Sequence, residues 1–284
     1  MKRVKSILAG FSLATFLIAC AAVPITERQQ LILSSPREDA QLGQALYSQL
    51  VRQAGARGQV LRRQDSPQAE RLHAMVARVG GRIAKVASEN NDLKGVPWNY
   101  VILKSDIVNA GALPGNKILF WEGIFKVVPD DPSLAVIVGH EVAHVIARHG
   151  AERRAQTELA NMTGSALLAA VAKGSPQAVN STARLFGLST QLGYVLPFSR
   201  MHESEADKIG LILMAKAGYD PRQAIRVWER MAKEKGPKPP ELLSTHPNPE
   251  TRIKDFEQWM PEALAYYDKV RDPEEIVVKA GEDY

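Results

Sequence analysis

Residues 131–150 read D-P-S-L-A-V-I-V-G-H-E-V-A-H-V-I-A-R-H-G, and this stretch restricts the fold most. Asp131 is predicted as an N-cap, Pro132 as the first helical residue and Gly150 as the stop. Between them, Leu134, Val136, Ile137, Val138, Val142, Val145 and Ile146 make the helix apolar nearly all round. Such a helix is buried. A buried helix holds two histidines and a glutamate only if each has a partner. The chain must therefore wrap a core around this segment and bring polar groups to it.

Positions four apart on a helix lie one above the other, so His140 and His144 can aim ring nitrogens at one metal ion. Glu141 is offset by one residue, beside the metal position. This is the mechanical basis of H-E-x-x-H in zinc peptidases, where the ion activates water and the glutamate serves as general base. Glu141 is thus the catalytic candidate, with one Zn2+ per chain as cofactor. A structural pair of hydrogen-bonded core histidines is the competing reading.

A zinc site needs a third ligand. A histidine six residues after His144 would mark one known class, but that position is Gly150. His149 falls well round a continuous helix from His140 and His144, so it is set aside as a ligand. The stretch S-R-M-H-E-S-E-A-D, 199–207, supplies a better candidate. Glu203 and Asp207 share a helical face: Glu203 as third ligand, Asp207 as acceptor from a ligating imidazole. Glu205 points elsewhere and is expected in solvent. His202 is a rival ligand without the Asp207 relation.

The H-E-x-x-H-x-x-x-R-H stretch followed by S-R-x-x-E-x-E-A-D resembles the HtpX/Ste24-type family of zinc metallopeptidases, in its lipoprotein and periplasmic branch. The likeness includes V-P-I-T-E-R-Q-Q-L from Val23, N-A-G-A-L-P-G from Asn109 and S-T-H-P-N-P-E-T-R-I from Ser244. It implies a gluzincin fold, zinc, and endopeptidase activity on unfolded or misassembled envelope proteins. It also brings in outer-membrane assembly machinery as a candidate partner. Carried over by motif, the ligands are His140, His144 and Glu203 and the base is Glu141.

Ile118, Leu119, Phe120 and Trp121 precede the motif helix, as the active-site edge strand does in related peptidases. They are expected to bind an extended substrate through main-chain hydrogen bonds. Gly111 and the bulky Phe120-Trp121 pair depart from the family pattern. His246, in a proline-rich loop, is expected near the metal as oxyanion donor, fourth ligand or loop anchor. Arg252 is expected to anchor that loop.

At the start, Lys2, Arg3 and Lys5 precede an apolar run over 7–18, ending L-I-A-C at Cys20. This looks like a lipoprotein signal peptide, 1–19, with Cys20 as the lipidated residue. By resemblance to known lipoproteins, Ala21 after it implies the outer membrane, facing the periplasm. Cys20 is the sole cysteine, which excludes disulfides and cysteine-based zinc sites. Of 36 basic and 31 acidic residues, three basic ones fall in that leader, so the remainder is nearly neutral. No basic stripe argues for nucleic acid.

The organisation expected is a lipidated tether at 20–30, one zinc metallopeptidase domain at 31–271 with N-terminal helices, and a loose tail at 272–284. The fold class is α+β, predominantly helical, with a small sheet beside the H-E-x-x-H helix. Strands are expected over 98–103 and 118–121. Further helices are expected over 39–52, 69–87, 159–173, 199–217, 222–235 and 250–270. The rival function is a non-proteolytic assembly factor or chaperone with structural zinc.

Overall fold

The computed structural model describes residues 20–90, 95–172, 175–190, 196–233 and 249–270. Apolar periodicity and end signals account for most elements. Helix α1 (Pro36–Ala56) opens on a capping box, in which Ser35 and Glu38 exchange side-chain and backbone hydrogen bonds. Helix α2 (Pro67–Ala87) opens on Ser66, whose hydroxyl accepts from the Ala69 N–H, with Pro67 in the first turn. Helix α3 (Asp131–Ile146) carries the H-E-x-x-H residues.

Helices α4 (His149–Val171), α5 (Pro176–Thr190), α6 (Leu196–Lys216), α7 (Gln223–Lys233) and α8 (Pro249–Tyr267) follow. The fold is α+β and predominantly helical, as expected. Helix α4 begins ten residues before the expected 159, and α5 was not foreseen. The last segment is one helix.

The first strands, β1 (Cys20–Ala22) and β2 (Gln29–Leu31), pair antiparallel. The expected tether at 20–30 is therefore corrected to a folded hairpin. Its turn buries Val23 in the main core and places Ile25 and Glu27 in the left-handed region.

The second sheet contains β3 (Asn99–Leu103), β4 (Ala110–Leu113) and β5 (Lys117–Trp121) in the order β3-β5-β4. Strand β5 runs parallel to β3 and antiparallel to β4. Side chains alternate between two layers, as the pleat requires. Ile102, Ile118 and Phe120 enter the main core with α2, α3 and α6. Val101, Leu103 and Leu119 meet Tyr47 and Ala54 of α1 on the other face.

This arrangement corrects the substrate-strand expectation. Ile118, Leu119, Phe120 and Trp121 form the central strand, with both hydrogen-bonding edges occupied. The continuous apolar run I-L-F-W reflects burial on both faces, not an exposed edge. The edge beside the cleft belongs to β4. It was missed because A-G-A-L has neither β-branched residues nor aromatics.

Helix α3 crosses α6 at backbone contact. A Cβ on Gly139 would lie 2.7 Å from the Gly210 carbonyl oxygen, and one on Gly210 would lie 2.7 Å from the His140 nitrogen. Only glycine at both positions permits this approach. It sets the two motif-bearing helices side by side.

Candidate metal centre

The cap of α3 lies one residue earlier than expected. Asp130, in extended backbone, accepts from the Ser133 N–H at 2.9 Å. Asp131 instead binds the Arg78 guanidinium. The other end differs more. The helix stops at Ile146, and Arg148 takes left-handed angles, φ 54° and ψ 33°. A new helix starts at His149, so Gly150 is not the stop. Arg148 is held there by Asp39 at 2.7 Å and by the Ser34 carbonyl at 2.6 Å.

His140, His144 and Glu203 come together from α3 and α6. The two Nε2 atoms are 3.1 Å apart. Glu203 Oε2 lies 3.4 Å from His140 Nε2, and Oε1 lies 3.5 Å from His144 Nε2. Tetrahedral zinc with bonds of about 2.0–2.1 Å spaces its ligand atoms by roughly 3.3–3.4 Å. The donor set and its spacing therefore fit zinc. Burial and the Arg252 charge oppose protonation of His140, yet Asp207 and Glu203 outweigh them and push its pKa up to about 9. The cluster thus favours a cation at this point, a demand that a metal ion satisfies.

Asp207 accepts from His140 Nδ1 at 2.9 Å, which turns Nε2 toward the cluster. Behind it, Arg252 of α8 donates to Asp207 Oδ2 from Nε at 2.6 Å and pairs with Oδ1 through its other arm. Its guanidinium lies 3.5 Å from the Trp228 ring centroid, and Nη1 is 3.9 Å from Glu203 Oε2. Arg252 supports the ligands from the side away from the cleft.

Glu141 is buried and lines a cleft of about 330 Å³, together with His144 and Glu203. Ala110 to Leu113 of β4 line the same cleft, with Trp121 beside them. A Cβ on Gly111 would stand 3.9 Å from the Trp121 ring, an ordinary van der Waals contact, so the ring does not itself require glycine there. Of the four expected substrate residues, only Trp121 borders the cleft. His246 and its loop lie outside the described residues. Cys20 begins β1, and its side chain is also outside them.

Two expectations about direction fail here, although His149 is not part of the ligand cluster. His149 is buried, with Nδ1 2.8 Å from His144 Nδ1, because the turn at Arg148 redirects it toward the site. Glu205 is buried rather than solvated. It accepts from His149 at 3.0 Å, Arg28 at 2.9 Å, and Thr26. Desolvation works against its charge, but His149, Arg28 and Thr26 hold its pKa down at about 2. His202 is not in the ligand cluster. Its Nε2 meets Glu152 at 2.8 Å, and its ring stacks on His149 at 4.4 Å. Arg28, Thr26, Glu152, Arg148 and Asp39 were all missed. R-H after H-E-x-x-H and the early T-E-R were the available signals.

Comparison with known proteins gives the family. The family model described as peptidase family M48 matches residues 66–260, more than half of the chain. Mitochondrial metalloendopeptidase OMA1 of Schizosaccharomyces pombe is 34% identical over 243 residues, covering 85% of this chain and 66% of that protein. The OMA1 protein of Arabidopsis thaliana is 37% identical over 190 residues, 66% of this chain and 37% of its own length. The beta-barrel assembly-enhancing protease of Escherichia coli O157:H7 is 32% identical over 181 residues, 60% and 36% of the two chains. The chain thus spans between about a third and two thirds of these relatives. With the matched region enclosing both motif helices and the whole ligand cluster, the chain belongs to peptidase family M48.

Proposed function

We propose that the chain is a zinc metalloendopeptidase that cuts unfolded or misassembled proteins of the bacterial envelope. The observation that carries this is the joint placement of Glu141, the His140–His144–Glu203 cluster and the β4 edge on one cleft. Zinc held by those three residues would supply Lewis-acid polarisation of the scissile carbonyl and lower the pKa of water. Glu141 takes a proton from the attacking water and delivers it to the leaving amine. Asp207 keeps the His140 proton on Nδ1, and Arg252 holds the Asp207 carboxylate in place.

The substrate lies extended along β4 and pairs with its main chain. Backbone pairing reads no particular side chain, which suits unfolded segments. Trp121 borders this path and favours a small or flat residue next to it.

A chaperone or assembly factor with structural zinc is the weaker reading. A structural site closes its fourth position and needs no buried base beside an open cleft. The name of the Escherichia coli relative joins proteolysis to β-barrel assembly, which supports envelope substrates. Among the described residues, no helix is long and apolar enough to cross a membrane. The Cys20 motif supports lipid attachment at the outer membrane, facing the periplasm. The mitochondrial relatives place the same family elsewhere, so attachment is tested directly, by mass analysis of Cys20 for acyl chains.

The decisive experiment is Glu141→Gln. Cleavage of casein should be lost while zinc remains bound at one ion per chain. Undiminished cleavage would refute the assigned base.

A further inference from the structure

The hairpin β1–β2 reaches the surroundings of the metal centre through Arg28 and Thr26. The Arg28 guanidinium sits between two buried carboxylates from different helices. Nη1 and Nη2 donate to Glu152 of α4 at 2.9 and 2.7 Å. Nε donates to Glu205 of α6 at 2.9 Å, and Thr26 of the same hairpin donates to the other Glu205 oxygen. Burying two glutamates beside each other is costly unless a cation joins them.

From these carboxylates two arms run to the ligands. In the first, Glu205 accepts from His149 Nε2 at 3.0 Å, and His149 Nδ1 stands 2.8 Å from His144 Nδ1. Two facing Nδ1 atoms cannot both carry protons. With the His149 proton on Nε2 and given to Glu205, its Nδ1 is an acceptor. His144 must then carry its own proton on Nδ1, which leaves Nε2 bare and facing His140 and Glu203. In the second arm, Glu152 binds His202 at 2.8 Å, and His202 immediately precedes Glu203 in α6. The stacked rings of His149 and His202, 17° from parallel, tie the arms together.

We infer that Arg28, Glu205 and His149 are positioning residues for the metal ligand His144, and that the N-terminal hairpin is a working part of the metal centre. His149 performs for His144 what Asp207 performs for His140: it fixes which ring nitrogen is free and where the ring points. The difference is that an imidazole is a weaker acceptor than a carboxylate. Glu205 and Arg28 compensate by fixing the tautomer from behind. This inference rests on the reading of His144 as a zinc ligand.

The test is zinc affinity of the full chain, measured by competition with a chromophoric chelator, and the absorption of the cobalt-substituted protein. His149→Phe removes the acceptor, whereas His149→Asn keeps an oxygen where Nδ1 stood. Glu205→Gln removes the charge that fixes the tautomer, and Arg28→Ala removes the hairpin's hold. Phe, Gln and Ala variants should bind zinc about 10–100-fold more weakly and show an altered cobalt spectrum. The Asn variant should recover most of the loss. Equal affinity in all four would overturn the inference. So would equal losses in the Asn and Phe variants with matching falls in metal-free melting temperature, since that is a packing effect. If His149→Phe does not fold, Glu205→Gln and His149→Asn decide by the same readings. His144→Ala separates the two levels. Wild-type affinity in that variant sinks the ligand reading itself, whereas loss there with unchanged His149 variants sinks only the positioning role.

Discussion

Replacing Gly210 with alanine should damage the metal centre without touching any ligand. The added Cβ would stand 2.7 Å from the His140 nitrogen and 2.8 Å from the Gly139 carbonyl carbon, against 3.4 Å for ordinary contact. Both obstacles are backbone, so no side chain can swing aside. Helices α3 and α6 must part by about 0.7 Å at this crossing. The imidazoles ride on α3 and Glu203 rides on α6, two turns from Gly210. Their present 3.4 and 3.5 Å separations would then widen beyond what zinc bonds span. Overpacking of this kind costs about 1–3 kcal/mol. For a domain of this size, that is roughly 2–4 °C of melting temperature per kcal/mol. Zinc affinity should fall by about 10–100-fold, by analogy with changes in the groups that support metal ligands. Chelator competition and calorimetry of the metal-free protein measure the two effects. Gly139→Ala meets the same contact from the other side, so the double variant should cost less than the sum. Gly55→Ala, in α1 with nothing within 4 Å, should be neutral or slightly stabilising. Wild-type zinc affinity in Gly210→Ala would refute the claim that this crossing sets the site.

Asp207→Asn keeps a hydrogen-bond acceptor but not the charge beside Arg252, and should weaken zinc binding by about 10–100-fold in the same competition assay. Removing zinc with a chelator should lower the melting temperature, because an ion present at about a thousand times its Kd stabilises by about 4 kcal/mol; an unchanged melt would mean the cluster holds no metal. Glu152 and Glu205 are held at about 2, against an ordinary value near 4.5, so their contribution to stability is complete above pH 4.5 and is lost as pH falls toward 2. Acid titration of the melting temperature should therefore steepen in that window, and Arg28→Ala should flatten it. A profile identical in the two proteins would show that Arg28 does not set these carboxylates.

Much of the fold was legible because local rules and burial agreed. Apolar spacing announced the helices over 39–52 and 69–87, and both start within three residues of the expected positions, on the Ser35 and Ser66 caps. The strands around Val101 and Leu119 were legible as apolar runs bounded by turn residues. Their order was not, since the apolar run I-L-F-W reports burial of both faces and not which strands pair at its two edges. Strand β4 was invisible because A-G-A-L is stabilised by pairing with β5, not by its own residues. The break after Ile146 was hidden for a related reason. Arginine rarely takes left-handed angles, and only Asp39 and Ser34, more than a hundred residues earlier, make Arg148 do so.

The site divides along the same line. His140, Glu141 and His144 are bound by one helical repeat, and Glu203 and Asp207 by another. Each set is local, so spacing alone predicts which atoms face together. Glu205 shows where that reasoning stops. Two residues from Glu203, it was bound to point away from the ligands, and it does. What lies in that direction was taken to be water, but it is Arg28, 177 residues distant in sequence. A helical wheel states directions, whereas the destination depends on tertiary packing. A carboxylate that faces away from a metal can therefore still govern it, provided another element closes over that side. Here the closing element is the hairpin that starts at Cys20. By the inference above, loosening this hairpin should act through Arg28 and Glu205 on the orientation of His144. Arg28→Ala and mechanical release of the hairpin should thus weaken zinc binding alike.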